Sequence, residues 1–412
     1  MVREKIYFVT ERKPHFVEIL LPFFMLLAQY KIGPFCVSYE LLMIVAAFTY
    51  LRNSNIIRLQ LKYWPYFIFL LYVVVCDIFR AMLGPDSMQT ELNRMMEYVV
   101  VFFLVLIVSS QPFDEEKLYK YWKIAGVFFS IGLFYQLLQI YVLHQRIAPI
   151  SLIPGYQLRP DDTINILRPS SFFSEPAAFT GSILPLLFLS LKRSDFKWAI
   201  FCTISILLST STVGVILSIV LWLSMIVIHN ISVNNKIIVF LIVISFIWVL
   251  MSTDVFSITQ SKFLAVVDGG STFNSRVANG FVLIGNMPAS DWIFGTRYSD
   301  VGRYITDNLD YFAGCDALLV YWKLQALFLN NICSYIFRYG VVGLGLFLLP
   351  LIIYLRKKNY SAKSYIIMVI VAMFGQAMVL NAYYFLIVMI CMLYDNLNGS
   401  EKIIDKRRAN NE

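Results

Sequence analysis

Charge is scarce in this chain: of 412 residues only 15% are Asp, Glu, Lys or Arg, against 59% hydrophobic and 16% aromatic. A soluble domain carries roughly 25% charged residues, so there is too little polar surface for a water-facing fold of this length, and a mean hydropathy of +0.69 agrees. Histidine is nearly missing, at His15, His144 and His229 alone. The phosphate loop with its Walker lysine, Gly-x-Gly-x-x-Gly, Cys-x-x-Cys and His-Glu-x-x-His are all absent, which removes their nucleotide-binding, redox and zinc-hydrolase chemistries. The six cysteines are scattered, and Cys36, Cys76, Cys202, Cys333 and Cys391 fall in or beside apolar runs, where thiols act as small hydrophobes. We therefore expect no disulfide framework, no metal and no cofactor.

What the chain has instead is apolar runs of membrane-crossing length, each needing about 20 residues to span the hydrocarbon. Twelve are read near Phe16–Gln29, Phe35–Leu51, Trp64–Leu83, Met95–Ser109, Trp122–Leu143, Phe172–Leu191, Trp198–Leu208, Val213–Ile228, Ile237–Met251, Asn331–Leu355, Ile366–Leu380 and Ala382–Tyr394. The first follows a charged start without a small-residue cleavage site, so it reads as a retained helix. The stretch 198–228 is too long for one span and is broken by the polar run Ser209-Thr210-Ser211-Thr212. The fold class expected is an all-α polytopic membrane protein of about 12 transmembrane helices with two long outer loops. Its segments are helices 1–5 in residues 1–142, a first long loop in 143–171, helices 6–9 in 172–251, a large loop in 252–330, and helices 10–12 with a tail in 331–412.

The net charge is +8, and its placement sets a topology. Alternate short loops and both tails carry 22 of the 34 basic residues, which by the positive-inside rule makes that side, and both termini, cytoplasmic. Lysine leads there, fourteen to eight. On the other side arginine leads, with Arg80, Arg94, Arg146, Arg159, Arg168, Arg276, Arg297, Arg303 and Arg338 against Lys31, Lys262 and Lys323. Arginine is the planar, bidentate binder of phosphate and carboxylate, whereas lysine is a point charge. The outer face is thus expected to hold an anion.

Three runs gather the candidate chemistry. Arg168-Pro169-Ser170-Ser171-Phe172-Phe173-Ser174-Glu175-Pro176 lies where the first long loop re-enters the membrane, with Ser171 or Ser174 as N-cap and Pro176 in the first helical turn. A helix N-terminus preceded by an arginine is an anion site; the alternative is that Arg168 reaches for headgroups and Glu175 only complements the helix dipole. Ser271 to Arg276 opens a segment whose Val277, Phe281 and Ile284 share a helical face suited to the membrane interface, followed by the turn-rich Asp291 to Arg297. Asn330-Asn331 opens the tenth span and puts Arg338 about two turns inside it. Glu18, Glu40, Asp77, Arg80 and Glu97 also fall within apolar runs, where ionisable residues are costly and are expected to pair.

At these residues the chain resembles the O-antigen polymerase (Wzy-type) family of oligosaccharide repeat-unit polymerases. The resemblance rests on the run Arg168 to Pro176, the Ser211-Thr212 break, Ser275-Arg276, the Phe294-Gly295 turn and the opening Asn331 to Gly343, all between about residues 155 and 345. It implies a glycosyltransferase that moves a growing glycan from undecaprenyl diphosphate to a new lipid-linked repeat unit, at the periplasmic face of a bacterial inner membrane. The implied catalytic residues are Glu175, Arg168 and Arg276; Arg159, Ser171, Arg297, Asn331 and Arg338 are read from their own placement as candidates to bind substrate. The implied partners are the undecaprenyl-diphosphate-linked donor and acceptor, membrane lipid, a polysaccharide chain-length regulator and a flippase, and no nucleic acid. The family's Arg-x10-Gly loop spacing is not reproduced: Arg168 is followed by Gly181, and Arg276 by Gly280 and Gly285. Two alternatives stay open, an O-antigen ligase, which would look for a histidine that 252–330 lacks, and a lipid-oligosaccharide flippase, which would carry shorter loops and an ionisable central cavity.

Overall fold

The computed structural model describes residues 16–32, 35–53, 64–84, 88–109, 114–145, 150–153, 169–228, 278–316, 318–319 and 329–356, together with single positions between 237 and 248 and between 363 and 390. These residues are mostly helical. Eight helices run in order: α1 (Phe16–Leu27), α2 (Val37–Asn53), α3 (Trp64–Leu83), α4 (Met88–Ser109), α5 (Glu115–Tyr141), α6 (Pro176–Lys192), α7 (Phe196–Leu208) and α8 (Thr212–Ile228). Three short helices follow, α9 (Asn279–Gly285), α10 (Ala289–Phe294) and α11 (Val301–Asp307), then a 3₁₀ turn at Leu309–Phe312 and the long α12 (Asn331–Arg356). A two-residue antiparallel pairing, Lys31–Ile32 with Phe35–Cys36, joins α1 to α2.

Among the described residues three helices are long and apolar enough to cross a membrane, Trp64–Leu83, Glu115–Tyr141 and Asn331–Ile353; α1, α6, α7 and α8 are apolar but shorter. The pattern of α3 shows what its surroundings must be. Tyr66, Phe69, Val73, Asp77 and Arg80 form its buried face, while Ile68, Leu71, Val75, Phe79 and Met82 on the opposite face are exposed. Polar atoms are turned in and apolar ones out, the reverse of a helix that meets water. On α5, Ile124, Val127, Ile131, Phe134 and Leu138 make a second exposed apolar stripe. Helix α6 is central, with 14 of its 17 residues buried, and packs against α1, α5, α7 and α8.

The helices begin and end for local reasons. Asp114 caps α5 by accepting from the backbone N–H of Glu116 and Lys117, and Glu115 and Glu116 place negative charge at its positive end. The expected break in 198–228 is present: α7 stops at Leu208, Thr210 takes a positive φ of 55°, and Ser211 Oγ accepts from Gly214 N at 3.2 Å to start α8. Helix α6 starts later than expected, at Pro176, and neither Ser171 nor Ser174 is its cap. Glu175 holds that position with extended backbone (φ −151°, ψ 155°) and no side-chain capping bond. The reason lies in the chain: the residue before a proline is pushed out of the helical region, and Ser171 is fixed at φ +59°.

Helix α12 is bent. At Gly340 the backbone leaves helical geometry (φ 68°, ψ −178°), and the kink accepts the end of α10, where Gly295 has φ +88°. A Cβ on Gly295 would run into the Arg338 carbonyl, and one on Gly340 into the Ile293 carbonyl, so both positions require glycine. The carbonyls released by the bend are all taken from outside the helix. Phe337 O accepts from Thr296 N at 2.8 Å, Arg338 O from Arg80 Nη1, and Tyr339 O from Tyr72 Oη at 2.9 Å. Around this bend α9, α11 and the 3₁₀ turn form a small core of their own, with Leu283, Ile284, Tyr304, Ile305 and Phe312 packed on Cys333, Ile336 and Phe337.

Candidate functional site

Side-chain links sort the described loops into two ends of the bundle. At one end Lys192 pairs with Glu115 (2.8 Å), Arg193 with Glu116 (2.6 Å) and Lys123 with Asp195 (3.1 Å), and Glu18 accepts from Asp114 N at 2.7 Å. These residues come from segments that the basic-residue count assigns to one side. Burial raises the Asp195 pKa, but hydrogen bonds from Lys123 and Tyr119 more than offset it and leave the carboxyl below its ordinary value. At the other end meet Tyr30 and Leu152, Gln29 and Ser174, Gln136 and Ser171, Gly84 and Arg297, and Glu91 and Ser299, all from the opposite set.

The second end holds the loop before α6. Its two phenylalanines are anchors: Phe173 is fully buried, edge-on to Phe129 and Phe179, and Phe172 stacks on Phe128 at 4.5 Å between ring centres. Two glutamines then bind the loop backbone. Gln136 of α5, fully buried, accepts from Ser170 N (2.8 Å) and Ser171 N (2.6 Å) and donates to Ser171 O (3.0 Å). Gln29, at the end of α1, accepts from Ser174 N at 2.5 Å and donates to Phe172 O at 3.4 Å. Sequence reading passed over both glutamines; an amide inside or beside an apolar run, facing a turn-rich segment, is the signal that finds them.

Within this frame the expected site residues separate. Ser171 is fully buried, and its hydroxyl donates to Phe129 O at 2.6 Å, so its proton is spent on holding the loop to α5. Glu175 is exposed at the mouth of α6. Its carboxylate makes no capping bond, and among the described residues it has no ion-pair partner. Arg159, Arg168 and Arg276 lie outside the described residues.

Arg297 and Arg338 stand on segments that meet at the α12 bend, where Gly295 abuts the Arg338 carbonyl. Arg297 is exposed and leans over the Tyr298 ring at 5.4 Å. Arg338 is half-buried, and Asn331 is buried at the first residue of α12. Neither hydrogen bond nor ion pair joins Ser171 or Glu175 to Arg297 or Arg338 among the described residues. Between α3 and α4 runs a chain of buried charge that the sequence suggested only in part. Arg80 of α3 pairs with Asp77 and lies 3.8 Å from Glu91 of α4, Glu91 pairs with Arg94 at 3.2 Å and accepts from Ser299, and Arg80 sits 4.8 Å over the Tyr339 ring. Two acids and two arginines cancel, which lets them stay buried. The expected interfacial stripe Val277, Phe281, Ile284 is not a single exposed face: Phe281 is exposed, Ile284 turns into the small core, and Val277 lies outside the described residues.

Among the described residues no group of His, Cys, Asp and Glu is arranged to hold a metal. No protein-family model matches the chain, and no curated protein matches it either.

Proposed function

We propose that this chain is a lipid-linked oligosaccharide repeat-unit polymerase of the O-antigen (Wzy) type. It crosses a bacterial inner membrane about twelve times with both termini in the cytoplasm. It joins undecaprenyl-diphosphate-linked units at the periplasmic face. The observation that carries the reading is Glu175: a carboxylate without an ion-pair partner among the described residues, exposed at the mouth of the central helix, on a loop pinned by Gln136, Gln29 and Phe173. A base needs that combination, because proton transfer depends on a carboxylate held at fixed geometry and not spent in a salt bridge.

In this mechanism Glu175 takes the proton from the acceptor hydroxyl, that oxygen attacks the anomeric carbon of the donor glycan, and the undecaprenyl diphosphate departs. Diphosphate is a good leaving group, so positioning and charge stabilisation matter more than a general acid. Arg168, seven residues before Glu175, and Arg276 clamp the diphosphate, and Arg159, Arg297 and Arg338 give it weaker support; the chain needs no metal. The sorting of loops into two ends supports the topology, since each described link joins segments that the positive-inside rule puts on one side. A flippase is less well supported: the buried charges of α3 and α4 are paired with one another and tie helices together.

The test is polymerisation of purified lipid-diphosphate-linked repeat units by the protein in liposomes. Wild type should give a ladder of products, while Arg168→Ala and Arg276→Ala should give only single units. Lysine in either place keeps charge but loses the two-pronged contact, and should be nearly as damaging. Long products from both alanine variants would remove the diphosphate clamp.

A further inference from the structure

Residues 289–296 belong to the segment expected to lie wholly outside the membrane, yet two helices place them well inside the bundle. Phe294 O accepts from Tyr72 Oη at 3.3 Å, and Tyr72 is the ninth of the twenty residues of α3. Eleven residues separate it from the helix end at Leu83, about 16 Å at 1.5 Å per residue. On α12, Thr296 N reaches Phe337 O and Ile293 O abuts Gly340, six to nine residues beyond the helix start at Asn331, or about 9–14 Å. Both measures put the tip of α10 roughly a third to halfway through a hydrocarbon core of about 30 Å.

The side chains of α10 are sorted to match. Trp292, Ile293 and Phe294 are exposed, Phe294 at 62%, as are Phe79 and Met82 on the outward apolar stripe of α3. The acid of this helix, Asp291, accepts from Tyr304 Oη at 3.0 Å. Its backbone ends are also satisfied inside the protein: Trp292 N donates to Pro288 O, Gly295 N to Asp291 O, and Phe294 O accepts from Tyr72. Non-helical backbone is tolerated at membrane depth only where its polar groups are taken up in this way. Water would leave three adjacent large apolar side chains exposed without compensation; acyl chains would not.

We propose that α10 and the turn to Thr296 are a re-entrant element that dips into the outer half of the bilayer and seats Trp292, Ile293 and Phe294 against lipid acyl chains. The chain then climbs out through Arg297, whose carbonyl meets Gly84 just beyond the end of α3, at headgroup depth. This inference rests on the membrane-spanning part of the function proposed above and on nothing in its chemistry.

The experiment is tryptophan quenching in liposomes of phosphatidylcholine with or without bromine on the acyl chains. Subtracting the emission of Trp292→Phe from that of the parent isolates one residue, and Phe294→Trp supplies the same information by addition should Trp292→Phe fail to fold. The element predicts that the isolated emission is lost to brominated lipid and is untouched by aqueous iodide. Quenching by iodide and not by bromine would overturn it, as would protection from both, which would mean that protein, such as a second copy of this chain, covers the face. Leu71→Trp on the outward stripe of α3 separates the two levels of inference. If bromine quenches the emission added by Leu71→Trp and not that of Trp292, the re-entrant element alone fails; if it quenches neither, the membrane reading fails with it.

Discussion

At the scale of single residues, the loop before α6 sets a buried anchor, Ser171, near an exposed carboxylate, Glu175. Ser171 and Glu175 are four residues apart, but the first is buried with its hydroxyl proton committed to Phe129 O and the second is exposed without a capping bond. Glu175→Gln should therefore leave the fold intact, since no described interaction is lost. In the reconstituted assay it should lower polymerisation by about 10²–10⁴, the contribution of a general base, while lipid-linked substrate still binds. Parental rates in that variant would mean that the carboxylate is structural and that another group, or the substrate's phosphate, takes the proton.

At the scale of elements, the bend of α12 is the joint that receives the end of α10. Gly340→Ala forces a Cβ into a conformation costing about 1–3 kcal/mol before its collision with Ile293 O is counted. Arg80→Ala strips the partner from Asp77 and from the Arg338 carbonyl at once, and breaking a buried pair costs about 3–5 kcal/mol. Both variants should lower the melting temperature in detergent, read by intrinsic fluorescence, and an unchanged midpoint in both would contradict the joint. The turn between α6 and α7 makes a separate prediction about pH. Asp195 has a depressed pKa in the folded protein, so its charged form stabilises the fold above its unfolded value of 3.8, and that stability is lost as pH falls through the lower, folded value. Asp195→Asn should flatten the fall in melting temperature on the acid side of about pH 4, and an unaltered slope would show that the Lys123–Asp195 contact contributes nothing there.

The same elements show how far the sequence could be read. The polar run at 209–212 broke the helix where expected, because four hydroxyl side chains in succession offer caps to a helix that nothing else stops. That Asp77 and Arg80 would need partners was legible, since ionisable residues in an apolar run are costly unpaired; that they take each other was not singled out among the five candidates. The roles of Gln29, Gln136, Glu91 and Ser299 were not legible. Each acts on a segment 34 to 208 residues away, and no local periodicity records such a contact. The start of α6 was misplaced for the opposite reason: Ser171 and Ser174 are good caps in isolation, but Pro176 holds Glu175 in extended backbone, and Ser171 sits at positive φ with its hydroxyl bound to Phe129 O.

At the scale of the whole molecule, the two ends of the helix bundle must face different compartments. Alkaline phosphatase fused after Asp162 or Asp300 should be active, and fused after Lys120 or Lys358 inactive; the reverse pattern would invert the molecule and take the proposed site to the wrong side of the membrane. The central claim, polymerisation of lipid-linked repeat units, is tested most directly by the surface glycan profile of a strain from which the gene is deleted. The account predicts a ladder that collapses to a single repeat unit and is restored by the intact gene but not by Glu175→Gln. An unchanged ladder would contradict it, as would complete loss of capped lipopolysaccharide, the mark of a ligase, or build-up of the lipid-linked unit in the cytoplasm, the mark of a flippase.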